Sequence, residues 1–208
     1  MSECRTIVLL AGVAGSASEW DAAAPLLGGA GRVATTPPPT GAMVLVGHSQ
    51  GGVRALRMAA HDNERVDAVV LTSSFYPPAR AGRPAAAAAL DFARHRALYA
   101  REVVARGRRP SPTRQGAAQL RSMLPLAARP ERYHALAAAV RCPVLAVHGD
   151  ADHLVPVAFA RAACARHPDW TYRELAAAGH HPHRDRAPEW AAVVRAWLDP
   201  VLAAVDGG

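Results

Sequence analysis

Short apolar runs alternate along this chain with amphipathic stretches of helical length. The runs lie at about 6–11, 43–48, 67–73, 143–148 and 170–175, and each leads into a loop bearing Gly or Ser. Val/Leu/Ile-rich runs with little polar alternation predict strands buried on both faces. Helical patterns fill the intervals at about 50–61, 156–167 and 187–204, and Pro200 is expected to interrupt or bend the last of them. Another helix is predicted from Ser18, a good N-cap with Asp21 three positions on, to about Leu27, with Pro25 weakening its last turn. Alternating strands and helices predict an α/β chain: a mostly parallel sheet of about five to six strands with helices on both faces.

The alternation stops between Phe75 and Cys142. The sequence there is rich in Ala and Arg, with helical stretches near 85–106, 113–124 and 130–140 broken at Gly107-Arg108-Arg109-Pro110-Ser111-Pro112. A small helical lid over 76–140, inserted between core segments 1–75 and 141–208, is the expectation, with the Gly/Pro stretch as its hinge. A plain linker is the alternative. Leu90, Phe92, Leu98, Tyr99, Leu120, Met123 and Leu124 are the candidate pocket or lid-core residues. A second irregularity is a shortening. Arg32–Thr36 looks like a strand, yet only residues 37–42 separate it from the next one, whereas a parallel crossover needs roughly a dozen residues. Either those residues run straight back in an extended path, reaching about 19 Å, or 32–36 is not a regular parallel strand. The bare flank that results is a candidate surface for a second copy, as in a homodimer.

Candidate chemistry gathers where strands end. Gly47-His48-Ser49-Gln50-Gly51-Gly52 lies between a predicted strand and a predicted helix, the setting of a nucleophile elbow, with Ser49 as the candidate nucleophile. A serine nucleophile needs a base to take its proton and a carboxylate to orient that base. Both follow in that order: His148-Gly149-Asp150-Ala151-Asp152-His153-Leu154-Val155-Pro156 offers Asp152 and Asp150, and Ala178-Gly179-His180-His181-Pro182-His183 offers His180, His181 and His183.

These blocks resemble the α/β-hydrolase superfamily, from Ile7 to the last helix. The resemblance implies Ser49 as nucleophile, Asp152 as the acid of a Gly-x-x-Asp-x-x-Val-Pro pattern, and His180 as the base of a Gly-His-x-x-His pattern. It implies a cap at 76–140, and an oxyanion hole formed by the backbone N–H groups of Gln50 and of Val13, in the loop Ala11-Gly12-Val13-Ala14-Gly15-Ser16. Ala11 stands where the family usually has a histidine that braces this loop. The family's first hairpin and one crossover helix are also missing, making this a minimal version of the fold. His48, His148 and His153 read as loop-supporting residues, and His61, His95, His134 and His167 as surface histidines. The His180/His181/His183 cluster has no partnering Cys or carboxylate at a metal-site spacing, so no metal and no cofactor are expected.

Composition narrows the function. With 208 residues and 50% hydrophobic content, one core with an insertion is comfortable. No run approaches the roughly 20 apolar residues of a membrane helix, and Met1-Ser2-Glu3-Cys4-Arg5 leads into a strand without a signal-like region; no membrane association and a cytoplasmic location are expected. Cys4, Cys142 and Cys164 fit no metal or redox spacing and read as reduced thiols. The net charge of +7 is carried by arginine with no lysine at all, which points to GC-rich codon usage rather than nucleic-acid binding. The excess is local: residues 76–140 hold 12 Arg against 3 acids, a balance of +9. Beside a pocket mouth such charge would favour an anionic or carrier-bound acyl donor; solvated arginines are the alternative. The expected function is therefore a serine hydrolase cleaving a small-molecule ester or thioester through an acyl-enzyme. The alternatives are a non-hydrolytic enzyme of the same fold (cyclase, acyltransferase or lyase) and a non-catalytic binding protein.

Overall fold

The computed structural model describes residues 5–13, 15–77 and 114–207, with 114–120 described by their backbone only. Six strands form one sheet: β1 (Thr6–Leu10), β2 (Arg32–Ala34), β3 (Met43–His48), β4 (Val66–Thr72), β5 (Val144–Gly149) and β6 (Thr171–Leu175), in the spatial order β2-β1-β3-β4-β5-β6. Every neighbouring pair is parallel. Each residue of β1, β3 and β5 is buried, while edge strands β2 and β6 are half-buried or exposed. The period of two divides the apolar side chains between two cores. Val8, Leu10, Leu45, Val69 and Leu71 pack on one face, and Ile7, Leu9, Val44, Val46 and Val70 on the other.

The helices are α1 (Ala24–Leu27), α2 (Gln50–His61), α3 (Arg114–Ala128), α4 (Pro130–Ala138), α5 (Val157–Cys164), α6 (Pro182–Asp185) and α7 (Ala187–Asp206). On α7, Trp190, Val194, Leu198 and Leu202 repeat every four residues and are all buried against the second face. Each such burial contributes about 1.5–3 kcal/mol. That explains why α7 is assigned straight through Pro200 rather than interrupted there: Leu198 and Leu202 hold the helix to the sheet across the proline.

The helix expected from Ser18 to Leu27 is broken up. A 3₁₀ turn covers Ala17–Trp20, α1 begins only at Ala24, and a second 3₁₀ turn covers Gly28–Ala30. Pro25 has no N–H to continue a helix from upstream and fits only in the first turn of a new one. Ser16, not Ser18, holds the cap position, without a side-chain capping bond.

Arg32–Thr36 does contain a regular parallel strand, β2, and the chain returns from it to β3 without a helix. The fixing element is Arg65. Its guanidinium donates to the carbonyls of Pro38 (2.9 Å) and Gly41 (3.2 Å) and to Asp62 (3.2 Å), fastening the extended connection to the turn after α2.

Between Phe75 and Cys142, α3 and α4 pack on the main core, where Met123, Leu126, Tyr133 and Ala137 are buried beside Phe75 and Tyr76. Met123 is thus a residue of the main core, and Leu124 is 56% exposed. Leu90, Phe92, Leu98, Tyr99, the side chain of Leu120, the stretch at 107–112 and eight of the twelve arginines of 76–140 lie outside the described residues. Among the described residues, no helix is long and apolar enough to cross a membrane.

Replacing Arg65 by Ala is expected to lower stability by about 1–2 kcal/mol, since several charge-assisted bonds to partly exposed acceptors are lost. The urea midpoint should fall with an unchanged m-value.

Candidate active site

Ser49 sits between β3 and α2 with φ 53° and ψ −120°, a conformation that side chains resist. Hydrogen bonds hold it there. Its N–H donates to the Thr72 carbonyl (3.0 Å), and its own carbonyl accepts from Gly52 N–H (3.1 Å), Phe75 N–H (3.2 Å) and the Ser74 hydroxyl (3.2 Å). Close approach completes the elbow: a Cβ on Gly51 would collide with the carbonyl of Leu10, so α2 can start this near to β1 only with glycine there.

Asp152 and His180 meet beyond the ends of β5 and β6. His180 Nδ1 lies 2.8 Å from Asp152 Oδ2, and both side chains are buried. The other carboxylate oxygen accepts the N–H groups of Leu154 (2.8 Å) and Val155 (2.9 Å). Burial works to raise the Asp152 carboxyl, but the charge and hydrogen bond of His180, with His148 and Val155 behind them, hold it below the usual carboxylate range. Because a carboxylate only accepts, His180 carries its proton on Nδ1.

The alternatives separate cleanly. Asp150 is exposed at the start of the same loop, away from this pairing. Burial, with His48 and His180 nearby, pushes the His181 imidazole far below its ordinary range. His183 is fully buried against Trp20, with ring centroids 4.2 Å apart. His148 is buried too and donates from Nε2 to the Val155 carbonyl (2.8 Å), bracing the Asp152 loop as expected. His153 is exposed. His134 and His167 are not isolated surface histidines: Nδ1 of one lies 3.0 Å from Nε2 of the other, and His167 stacks on Trp170. Burial, then the positive charge of Arg166, pushes His134 down to about 4. The Cys142 and Cys164 thiols are free and are raised by burial to about 11 and about 12. Cys4 and His95 lie outside the described residues.

The residue that sequence reasoning passed over is Glu19. Its Oε1 accepts from Gly12 N–H (3.1 Å) and lies 3.0 Å from His48 Nδ1. A carboxylate therefore does join the histidine cluster, but from 29 positions before His48 in sequence, where ligand spacing gives no signal. The one available hint is Ala11, which leaves the loop after β1 in need of another brace. Donor atoms of Glu19, His48 and His183 lie within 4.8 Å of one another. Tetrahedral zinc bonds hold ligand atoms about 3.3 Å apart, whereas His183 Nε2 is 4.0 Å from Glu19 Oε1 and the Glu19–His48 spacing is that of a hydrogen bond. The arrangement fits a hydrogen-bonded brace better than a coordination shell.

Comparison with solved structures identifies the architecture as the α/β-hydrolase fold. A monoacylglycerol lipase of Paleococcus ferrophilus superposes with a TM-score of 0.64 at 21% identity, over 94% of each chain. A carboxylesterase of Nitrososphaera gargenis gives 0.67 at 17%, over 98% of this chain and 93% of that one. The thioesterase domain of the curacin biosynthetic pathway gives 0.64 at 16%, over 93% and 92%. Residues 30–187 match the serine aminopeptidase S33 family, and the chain belongs to that hydrolase family. No curated protein sequence matches it.

Removing the Asp152 carboxylate orphans two N–H groups and the His180 imidazole, so Asp152→Ala is expected to cost about 3–5 kcal/mol, against about 0.5 kcal/mol or less for Asp150→Ala at the surface. The pH dependence has a definite sign. Asp152 has a lower pKa folded than unfolded, where it lies near 3.9; its contribution is complete above about pH 4 and disappears as pH falls through the folded value. Urea titrations from pH 2 to 7 should show this acid-side loss in the wild type and a smaller one in Asp152→Asn.

Proposed function

We propose that the protein is a serine hydrolase that cleaves an ester or thioester through an acyl-enzyme on Ser49. The observation that carries this reading is the buried 2.8 Å pairing of His180 Nδ1 with Asp152, on loops of the same sheet end as the strained Ser49 elbow. With its proton on Nδ1, His180 offers Nε2 as the base. The Ser49 hydroxyl adds to the acyl carbon while its proton passes to Nε2. The bond to the leaving oxygen or sulfur then breaks as His180 returns that proton to the leaving group. Water repeats the sequence on the acyl-enzyme and frees Ser49. Asp152 stays ionised and fixes the orientation of the ring.

The N–H groups of Val13 and Gln50 are the assigned oxyanion donors, each typically worth about 3 kcal/mol. Two features support them. Gln50 opens α2, where N–H groups have no helical partner, and a Cβ on Gly12 would stand 3.1 Å from that of Ser49, so the Val13 loop lies directly against the elbow.

Ester or thioester chemistry is favoured by the fold's likeness to a lipase, a carboxylesterase and a thioesterase domain. The family description names an aminopeptidase, whose substrates present an ammonium group. Among the described residues, the carboxylates at the site are engaged, Asp152 with His180 and Glu19 with Gly12 and His48.

A fluorophosphonate probe should label wild-type protein at Ser49 and leave Ser49→Ala unlabelled. Asp152→Asn should lower kcat on an activated ester by about 10⁴-fold, by favouring the wrong imidazole tautomer. Faster turnover of an aminoacyl arylamide than of the matched ester would replace ester hydrolysis by peptidase chemistry, and labelling that survives in Ser49→Ala would remove the serine mechanism.

The +9 balance of residues 76–140 supports an anionic acyl donor as the preferred substrate. Its kcat/KM should exceed that of a neutral ester of equal size at low salt, and the gap should narrow as salt screens the charge. Parallel, salt-independent values would leave these arginines without a role in substrate choice.

A further inference from the structure

His48 is held at both ends of its ring. Nε2 donates to the backbone carbonyl of His180 (2.9 Å), and Nδ1 faces Glu19 Oε1 (3.0 Å). A carbonyl only accepts, so Nε2 bears a proton, and Nδ1 is left to the Glu19 carboxyl. The same Glu19 oxygen accepts the N–H of Gly12. The result is a continuous path, from Gly12 through Glu19 and His48 to the backbone of His180. One end of that path is the loop after β1, which meets Ser49, and the other is the loop that carries His180.

The surroundings leave the path little freedom. The His48 side chain is 3% exposed and that of Glu19 10%. His183 packs on His48 at a ring-centroid distance of 4.5 Å, and Trp20 backs His183 at 4.2 Å. The His180 ring lies tilted against that of His48, with centroids 4.8 Å apart. A movement of His48 would shift both the Gly12 loop and the His180 ring.

We propose that Glu19 and His48 are positioning residues that lock the oxyanion loop and the His180 loop into one fixed relation, the bracing that Ala11 cannot provide. This rests on the reading of Ser49 and His180 given above. Neither side chain needs to touch substrate: misplacing a reacting group by about 1 Å can cost about a hundredfold in rate.

The ring's two ends can be tested separately, because an Asn amide nitrogen overlays Nδ1 of histidine and a Gln amide nitrogen overlays Nε2. His48→Gln keeps a donor for the His180 carbonyl, His48→Asn keeps one for Glu19, and His48→Leu keeps neither. The measurements are the rate of fluorophosphonate labelling, kcat and KM on an activated short-chain ester, and thermal unfolding. His48→Leu and Glu19→Ala are expected to lose about a hundredfold in kcat and labelling rate with KM within twofold. Each single-end variant should recover part of the loss relative to His48→Leu, and adding Glu19→Ala should cost His48→Asn much more than His48→Gln.

Rates within twofold of wild type in folded His48→Leu or Glu19→Ala would overturn the proposal. If His48→Leu does not fold, the Gln and Asn variants decide: losses that merely follow the fall in unfolding temperature, with no dependence on which end is kept, would also overturn it. Failure of the wild type to label at Ser49 is a different result, since it removes the serine reading on which the proposal rests.

Discussion

A serine at φ 53° and ψ −120° is a local cost of about 1–3 kcal/mol, and the rest of the molecule is arranged so that no cheaper conformation is open to it. The Thr72 carbonyl at the end of β4 takes its N–H, three donors take its carbonyl, and the Leu10 carbonyl at the end of β1 closes in on Gly51. Thr72 is anchored in turn from the opposite side of the sheet, where Trp190 Nε1 of α7 donates to its hydroxyl (3.1 Å). The strain at one residue is therefore balanced by β1, β4 and α7 together. A substitution at Trp190, on the far face of the sheet from α2, would loosen the elbow without touching it.

The parallel sheet explains why chemistry and anchoring lie at opposite ends. All six strands point the same way, so the loops carrying Gly12, Ser49, Asp152 and His180 emerge together at their C-terminal ends, as in open α/β sheets generally. The other end is fastened by arginines. Arg5 pairs with Asp67 and with Asp206 (2.8 Å), and Arg65 holds the helix-free return from β2 to β3. The shortened crossover runs from the end of β2 back to the start of β3, and Arg65 fastens its later part beside the turn after α2. With no helix in this connection, edge strand β2 is left half-buried or exposed.

Five strands and the long helices were legible in the sequence because each rests on local information, apolar period and glycine placement, whereas Asp152 and His180, which lie 2.8 Å apart, were singled out by resemblance to a family pattern. Asp150 and Asp152 stand two residues apart in one loop, the first exposed and the second buried, a difference that composition alone cannot reveal. What local pattern missed were long-range polar contacts. Ser18 and Asp21 suggested a capped helix, but Pro25 and the inward bonds of Glu19 gave a broken one. The return from β2 could be read as too short for a helix, yet nothing in the sequence pointed to Arg65 as its fastening. His134 and His167 looked like separate surface residues because the contact that joins them spans 33 positions.

Four buried imidazoles crowd the site, and backbone carbonyls settle much of their protonation. His148 must donate from Nε2 to Val155, and His48 from Nε2 to His180. Burial pushes His148 and His183 below the ordinary histidine range, so a second proton on either ring is disfavoured. Among the described residues, His183 has a hydrogen-bond partner at neither ring nitrogen, and its ring packs between Trp20 and His48. On the proposed mechanism, the proton taken from Ser49 then goes to His180, whose Nδ1 already rests on a buried carboxylate held by two N–H groups. Specific proton transfer here depends less on the base itself than on the neighbouring rings being poor acceptors of the same proton.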